Sequence, residues 1–324
     1  MPELSEKNTD AKADALKQLE DMRIRLQNNP EDHELRHDYA DELNENGFAK
    51  EAIKQYQYLI SVFTNNSGLF YSLGVAFEKN DELDLAVDAY KNALRIDPAF
   101  VDGHYNLAYA YDRMGMVLPA IHEYKETIAL DPEDSNAHFN LGCVLSKCND
   151  SEGAITHLKK SIAINPKDEY AHFYLAYEMQ KIGNIEEAIK GYRSVLEINS
   201  GYSWSHFNLG FIYLSLGKKQ QAYEEFLATY NLNPMDEEAF KKLIMVGIDC
   251  EFYDATMDIL EDRVVLNPKN AFIQFSMAEV YFKQSDYEDA LHHYKLSLAS
   301  PDINSSGVDI KAVNLKLQKL KTLL

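Results

Sequence analysis

Four histidines recur at a fixed interval of 34 residues: His104, His138, His172 and His206. Histidine is the commonest metal ligand, so the row invites a metal reading. The interval argues against it. Neighbouring stacked helices lie about 10 Å apart, and a shared zinc needs ligands about 2 Å from the ion. One histidine per interval therefore reads as a packing residue. The adjacent pair His292-His293 points to different sides of a helix and carries no signal. Cys143 and Cys148 are five apart on one expected helix, so they point about 140° away from each other and cannot pair. With Cys250 alone, the three cysteines read as reduced thiols, which suits a cytoplasmic chain. No glycine-rich phosphate loop, nucleophile elbow or zinc signature is present. The expectation is a non-enzyme with no cofactor and no metal.

A different kind of chemistry also recurs. Asn106, Asn140 and Asn208 share one place in the interval. A primary amide donates and accepts at once, so it hydrogen-bonds a peptide backbone without reading its side chains. Aromatic residues stand beside these asparagines, and aromatics supply large apolar area.

The elements that carry these residues follow from the period. Residues 33–66, 67–100, 101–134, 135–168, 169–202, 203–236, 237–270 and 271–304 are eight versions of one unit. Each reads as two antiparallel helices around a tight turn. The turn needs φ > 0, which explains Gly47, Gly115, Gly183 and Gly217 and makes Asn149 acceptable. A small residue in the first helix (Gly74, Ala108, Gly142, Ala176, Gly210) faces one in the second (Ala86, Ala120, Ala154, Ala188, Ala222). Prolines 98, 132, 166, 234 and 268 close the second helix. The unit at 237–270 is degenerate, with Gly247 and Thr256 in place of a large apolar and a small residue. Residues 1–9 are expected to be a disordered tail, 10–30 an N-terminal capping helix and 305–324 a C-terminal capping helix. The last is basic, with Lys311, Lys316, Lys319 and Lys321 against Asp309.

Length and charge set further bounds. The chain has 324 residues, is 46% hydrophobic and carries a formal net charge of −20. Such a charge repels nucleic acid and anionic lipid. No apolar run is long enough for a membrane span, and Met1 to Asp10 lack the apolar core of a signal peptide.

The small-residue pairs, turn glycines and prolines at this spacing resemble those of tetratricopeptide repeats, over residues 33–304. The resemblance implies an all-α fold. About eight helix-turn-helix repeats would stack into a right-handed superhelical solenoid, with the first helices lining a concave groove that binds a peptide or partner protein. It implies a groove column Tyr71, Tyr105, Phe139, Phe173 and Phe207, and beside it Val75, Tyr109, Cys143, Tyr177 and Phe211. The asparagines run alongside, and Lys79, Arg113, Lys147 and Lys181 lie at the edge, where cations attract acidic segments. The same columns also have a packing reading, since aromatics and asparagine near these places fit the family's own pattern. Chaperone-docking members hold a C-terminal carboxylate with lysine and asparagine from their first repeat. His37 and Asp41 stand there instead, so docking of a chaperone C-terminus by a carboxylate clamp is not expected.

The expected function is a protein-interaction scaffold or adaptor. The alternatives are a chaperone-like client holder and an accessory subunit that regulates or targets an enzyme. Residues 101–168, where Tyr105, Asn106, Tyr109 and Arg113 share one first helix, are the first place to look for binding.

Overall fold

The computed structural model describes residues 3–324, with side chains from residue 13 onward. Among the described residues there are eighteen helices and no strand. The first helices of the repeats are α2 (His33–Glu45), α4 (Ser67–Lys79), α6 (Val101–Arg113), α8 (Ser135–Lys147), α10 (Glu169–Lys181), α12 (Ser203–Ser215), α14 (Glu237–Asp249) and α16 (Ala271–Lys283). The second helices are α3 (Ala49–Val62), α5 (Leu83–Ile96), α7 (Val117–Leu130), α9 (Ser151–Ile164), α11 (Ile185–Ile198), α13 (Lys219–Leu232), α15 (Tyr253–Leu266) and α17 (Tyr287–Ala299). The chain divides into two compact units, Met1–Gly183 and Asn184–Leu324. Within each, successive helices pack on their neighbours, which is the all-α repeat architecture expected.

Capping and turn geometry set these bounds. The carboxylates of Asp134 and Asp168 accept backbone N–H groups that open α8 and α10, and Asn66 does the same for α4. In the turns, Gly47, Gly115, Gly183 and Gly217 have φ between 71° and 85°, and Asn149 has φ 62°. Asp81, Glu251 and Ser285 adopt the same left-handed conformation, with φ 62°, 62° and 66°. The following N–H explains why: that of Glu82 bonds back to the Phe77 carbonyl at 2.9 Å, and that of Met116 to Tyr111 at 2.8 Å. This closing bond demands φ > 0 from any residue placed there, so side-chain type does not decide the conformation.

Small residues let the paired helices approach. A Cβ on Gly210 would stand 2.7 Å from the Phe226 ring, closer than real contacts allow. Around these points the second helices bury Tyr56, Tyr90, Tyr124, Tyr192, Phe226 and Tyr294 completely. In the degenerate repeat the close approach moves one turn along. Ile244 is buried where other first helices have Gly or Ala, and a Cβ on Gly247 would meet the Thr256 hydroxyl at 2.4 Å. Arg263 is buried there too. It donates to the Pro234 carbonyl at 3.1 Å, pairs with Glu237 and lies over the Phe240 ring at 4.5 Å.

The ends depart from the expected bounds. The first helix, α1, spans Glu3–Asn28, so residues 3–9 are helical rather than a tail. No proline or glycine lies between Glu3 and Asp10 to stop it. Met1 and Pro2 of the expected tail lie outside the described residues. Leu19, Met22 and Leu26 of α1 are buried, Met22 and Leu26 against the cluster that includes Leu35. The last helix, α18 (Ile310–Leu323), buries Val313 and Leu320. No helix among the described residues is long and apolar enough to cross a membrane.

Candidate peptide-binding face

The first helices of the unit Met1–Gly183 are joined by polar bonds that nearly all have the same offset. Asn106 donates its amide to the Tyr71 hydroxyl at 2.9 Å, and Asn140 donates to the Tyr105 hydroxyl at 2.8 Å. Lys79 donates to the Asn44 carbonyl at 2.9 Å, and Lys147 to Asp112 at 2.8 Å. Arg113 pairs with Glu78 at 3.4 Å and with Asp81 at 2.9 Å. Lys181 donates to the Ser146 carbonyl at 3.3 Å. Apart from the Asp81 bond, each joins residues 35 apart in sequence. That is one repeat plus one residue, so each bond stitches a first helix to the one before it. The asparagines and the cations expected to meet a ligand therefore serve first as inter-repeat bonds.

The row changes chemistry where the hydroxyl is missing. Phe139 replaces tyrosine, and the residue 35 further on is Tyr174 rather than asparagine. The two rings meet edge to face, with centroids 5.6 Å apart. A ring contact thus takes the place of the hydrogen bond.

The aromatics divide into two sets. Tyr71 and Tyr105 are half-buried against the fully buried Tyr90 and Tyr124, each with centroids 5.9 Å apart. Burial pushes both phenols above their ordinary pKa, so they remain neutral hydroxyls, each accepting an asparagine N–H. Tyr109 and Tyr177, one helical turn further along their helices, are 40% and 45% exposed. Tyr109, Asn106, Phe139 and Asn140 are among the residues lining a hollow of 510 Å³, which Val75, Glu78, Lys79, Tyr105 and Asn136 complete. Cys143 is half-buried, and burial pushes its thiol up to about 12, so it stays protonated and unreactive. Phe173 is half-buried, with its ring 5.8 Å from that of Tyr174.

In the unit Asn184–Leu324, Phe207 and Phe211 both pack on Phe226, at 5.9 and 5.4 Å. Lys242 lies over the Phe211 ring at 5.0 Å. Asn208 donates to the Trp204 carbonyl one turn back at 2.7 Å, so its amide supports its own helix.

Residues 79–115 match a model for the TPR repeat, and residues 123–156 and 205–234 match models for the tetratricopeptide repeat. The chain contains tetratricopeptide repeats. Solved structures agree in fold. The C-terminal part of a TPR repeat-containing protein from Cytophaga hutchinsonii is 15% identical, with a TM-score of 0.59 over 86% of this chain and 98% of its own. A tetratricopeptide repeat protein from Parabacteroides merdae is 15% identical, with a TM-score of 0.52 over 79% and 98%. YrrB, described as a TPR protein with an unusual peptide-binding site, is 20% identical, with a TM-score of 0.52 over 57% and 95%. No curated protein matches the chain.

Three histidines of these tetratricopeptide repeats bond within their own repeats, and the fourth, His172, bonds to the end of the repeat before. His104 and His206 bond to Glu123 at 2.6 Å and Glu225 at 2.7 Å, and His138 bonds to His157 at 3.0 Å. His172 bonds to the Pro166 carbonyl at 3.0 Å. Only His138 of the four is fully buried; the others are half-buried. At the start of the array, His37 and Asp41 approach each other to 3.8 Å. Sequence reasoning passed over the acidic partners Glu78 and Asp112, which sit directly before the cations of their own helices. It also passed over Glu178, a fully buried carboxylate that accepts from the Ser146 hydroxyl. The signal for the first two was the repeated acid-before-cation dipeptide.

Proposed function

We propose that this chain is a scaffold that binds an extended peptide segment on the first-helix face of Met1–Gly183. The chain acts by binding rather than by catalysis, as an adaptor in the cytoplasm. One observation carries the reading. The 510 Å³ hollow over α4, α6 and α8 combines an exposed tyrosine, Tyr109, with two asparagines whose carbonyl oxygens make no hydrogen bond among the described residues. Each asparagine spends one N–H on its tyrosine and keeps an acceptor and a donor toward the hollow. Those are the two groups a peptide backbone needs. Because Asn106 and Asn140 are held by tyrosine hydroxyls, their amides are oriented before a ligand arrives, which lowers the ordering cost of binding.

The cations support a narrower ligand class than the sequence suggested. Arg113 and Lys147 already face carboxylates, so the face carries little unpaired positive charge. A segment with neutral, apolar side chains fits better than an acidic one.

The test is a peptide-display selection with the wild-type chain and with Tyr109→Ala/Tyr177→Ala. The expected result is one family of extended sequences that the double variant no longer retains, at unchanged helical circular dichroism. Equal retention by both would move the binding surface away from these helices.

A further inference from the structure

The first helix α16 differs from the others on the same face. Phe272, Ser276 and Glu279 are 8%, 2% and 9% exposed. One repeat earlier, the equivalent places hold Glu238, which is exposed, Lys242, which is half-buried, and Met245, which is 56% exposed. The cover is the chain's own end. Asp302 accepts the Ala271 N–H at 2.9 Å, Lys241 donates to the Ser306 carbonyl at 3.2 Å, and Val308 packs against the cluster that contains Phe272. Helix α18 then lays Val313 and Leu320 into the last repeat and brings the Lys316 ammonium onto the Glu279 carboxylate.

This seat is specific for a cation. Glu279 stands in the column that elsewhere holds Asp41, Val75, Tyr109, Cys143, Tyr177, Phe211 and Met245. It also accepts the Tyr294 hydroxyl at 2.5 Å. The rings of Phe282 and Tyr294 lie 5.3 and 5.8 Å from the Lys316 nitrogen, so aromatic faces complete the site. A nearly buried carboxylate without its partner is costly, which favours an occupant that brings a lysine. The present occupant leaves some of its own apolar side chains uncovered. Leu315, Leu323 and Leu324 of the same segment are 69%, 46% and 60% exposed.

We propose that this face of α16 is a docking surface for a basic amphipathic helix, which α18 occupies in cis and which a partner helix takes when α18 leaves. The partner needs a lysine three residues after one apolar residue and four before another, the spacing of Val313, Lys316 and Leu320. This surface is independent of the peptide-binding face proposed for α4, α6 and α8.

The test uses the full chain, amide hydrogen exchange and a labelled synthetic peptide of residues 307–324 as the probe. In Lys316→Glu, exchange across α18 is expected to rise at least tenfold while α16 and α17 stay protected. The probe is expected to bind that variant at least tenfold more tightly than wild type. Adding Glu279→Lys to Lys316→Glu is expected to restore protection of α18 and abolish probe binding. Unchanged exchange in α18 would overturn the proposal. So would loss of protection in α16 and α17 together with α18, which would make the segment an inseparable part of the last repeat. A released α18 with no probe binding would overturn it as well.

Discussion

Asn140 donates its side-chain amide to the hydroxyl of Tyr105 at 2.8 Å, and the two residues belong to consecutive repeats. Asn106 and Tyr71 repeat the relationship at 2.9 Å. Both bonds are part-buried, so each is expected to contribute about 1 kcal/mol to stability. Tyr105→Phe and Asn140→Ala should each destabilise the chain, and a double-mutant cycle from denaturant unfolding should show coupling of about 1 kcal/mol. Additive effects would mean that the bond does not tie the repeats together.

Tyr109 and Tyr177 are expected to behave in the opposite way. Both are more than a third exposed, so Tyr109→Ala and Tyr177→Ala should change stability by no more than about 0.5 kcal/mol. Each should weaken a selected peptide by about 1 to 2 kcal/mol, roughly five- to thirtyfold in Kd. Isothermal titration against thermal melting separates the two effects.

The turn column offers a stabilising change. Glu251 has φ 62° where four other repeats use glycine. A left-handed conformation costs a residue with a Cβ about 1 kcal/mol. Glu251→Gly should therefore raise the melting temperature, and Gly217→Ala should lower it.

Helix approach is tested at Gly210. A methyl group there meets the Phe226 ring at 2.7 Å. Gly210→Ala should cost about 1 to 3 kcal/mol, as overpacking does. Phe226→Leu in the same chain should recover part of that loss, so the two changes should couple rather than add.

The His138–His157 pair predicts a pH effect. Their Nδ1 atoms are 3.0 Å apart, which requires one to donate and the other to accept. Burial, then the neighbouring His138, holds the His157 pKa below its ordinary value. The unfolded chain therefore takes up this proton at higher pH than the folded one. Stability should fall as pH drops through about 6.5, the unfolded value, and continue falling until the folded group titrates. His157→Gln keeps a hydrogen-bonding group but cannot titrate there. Its melting temperature should fall less steeply than that of wild type between pH 7 and pH 5.

What could be read from the residues alone was whatever is local or strictly periodic. Gly47, Gly115, Gly183 and Gly217 marked the turns because φ > 0 favours glycine wherever the chain must reverse. Gly210 and Ala222 marked the helix approach because only small side chains permit it. These signals depend on neighbours in the same repeat, and they determined an all-α array of paired helices. Asp81, Glu251 and Ser285 escaped the same reading because the closing backbone bond, not the side chain, imposes their conformation.

The use of each face depended on stacking. Asn106, Asn140, Arg113 and Lys147 look like ligand contacts in isolation, yet their partners lie 35 residues away on the helix before. Phe272 and Glu279 share columns whose other members are exposed or half-buried, yet residues 300–309 and α18 return from the end of the chain to cover their helix. The sequence by itself determined the period, the helices and the turns, because those are settled by contacts within one repeat. Only the tertiary structure decided which side chains are spent holding repeats together and which remain exposed, because that depends on contacts made a full repeat or more away.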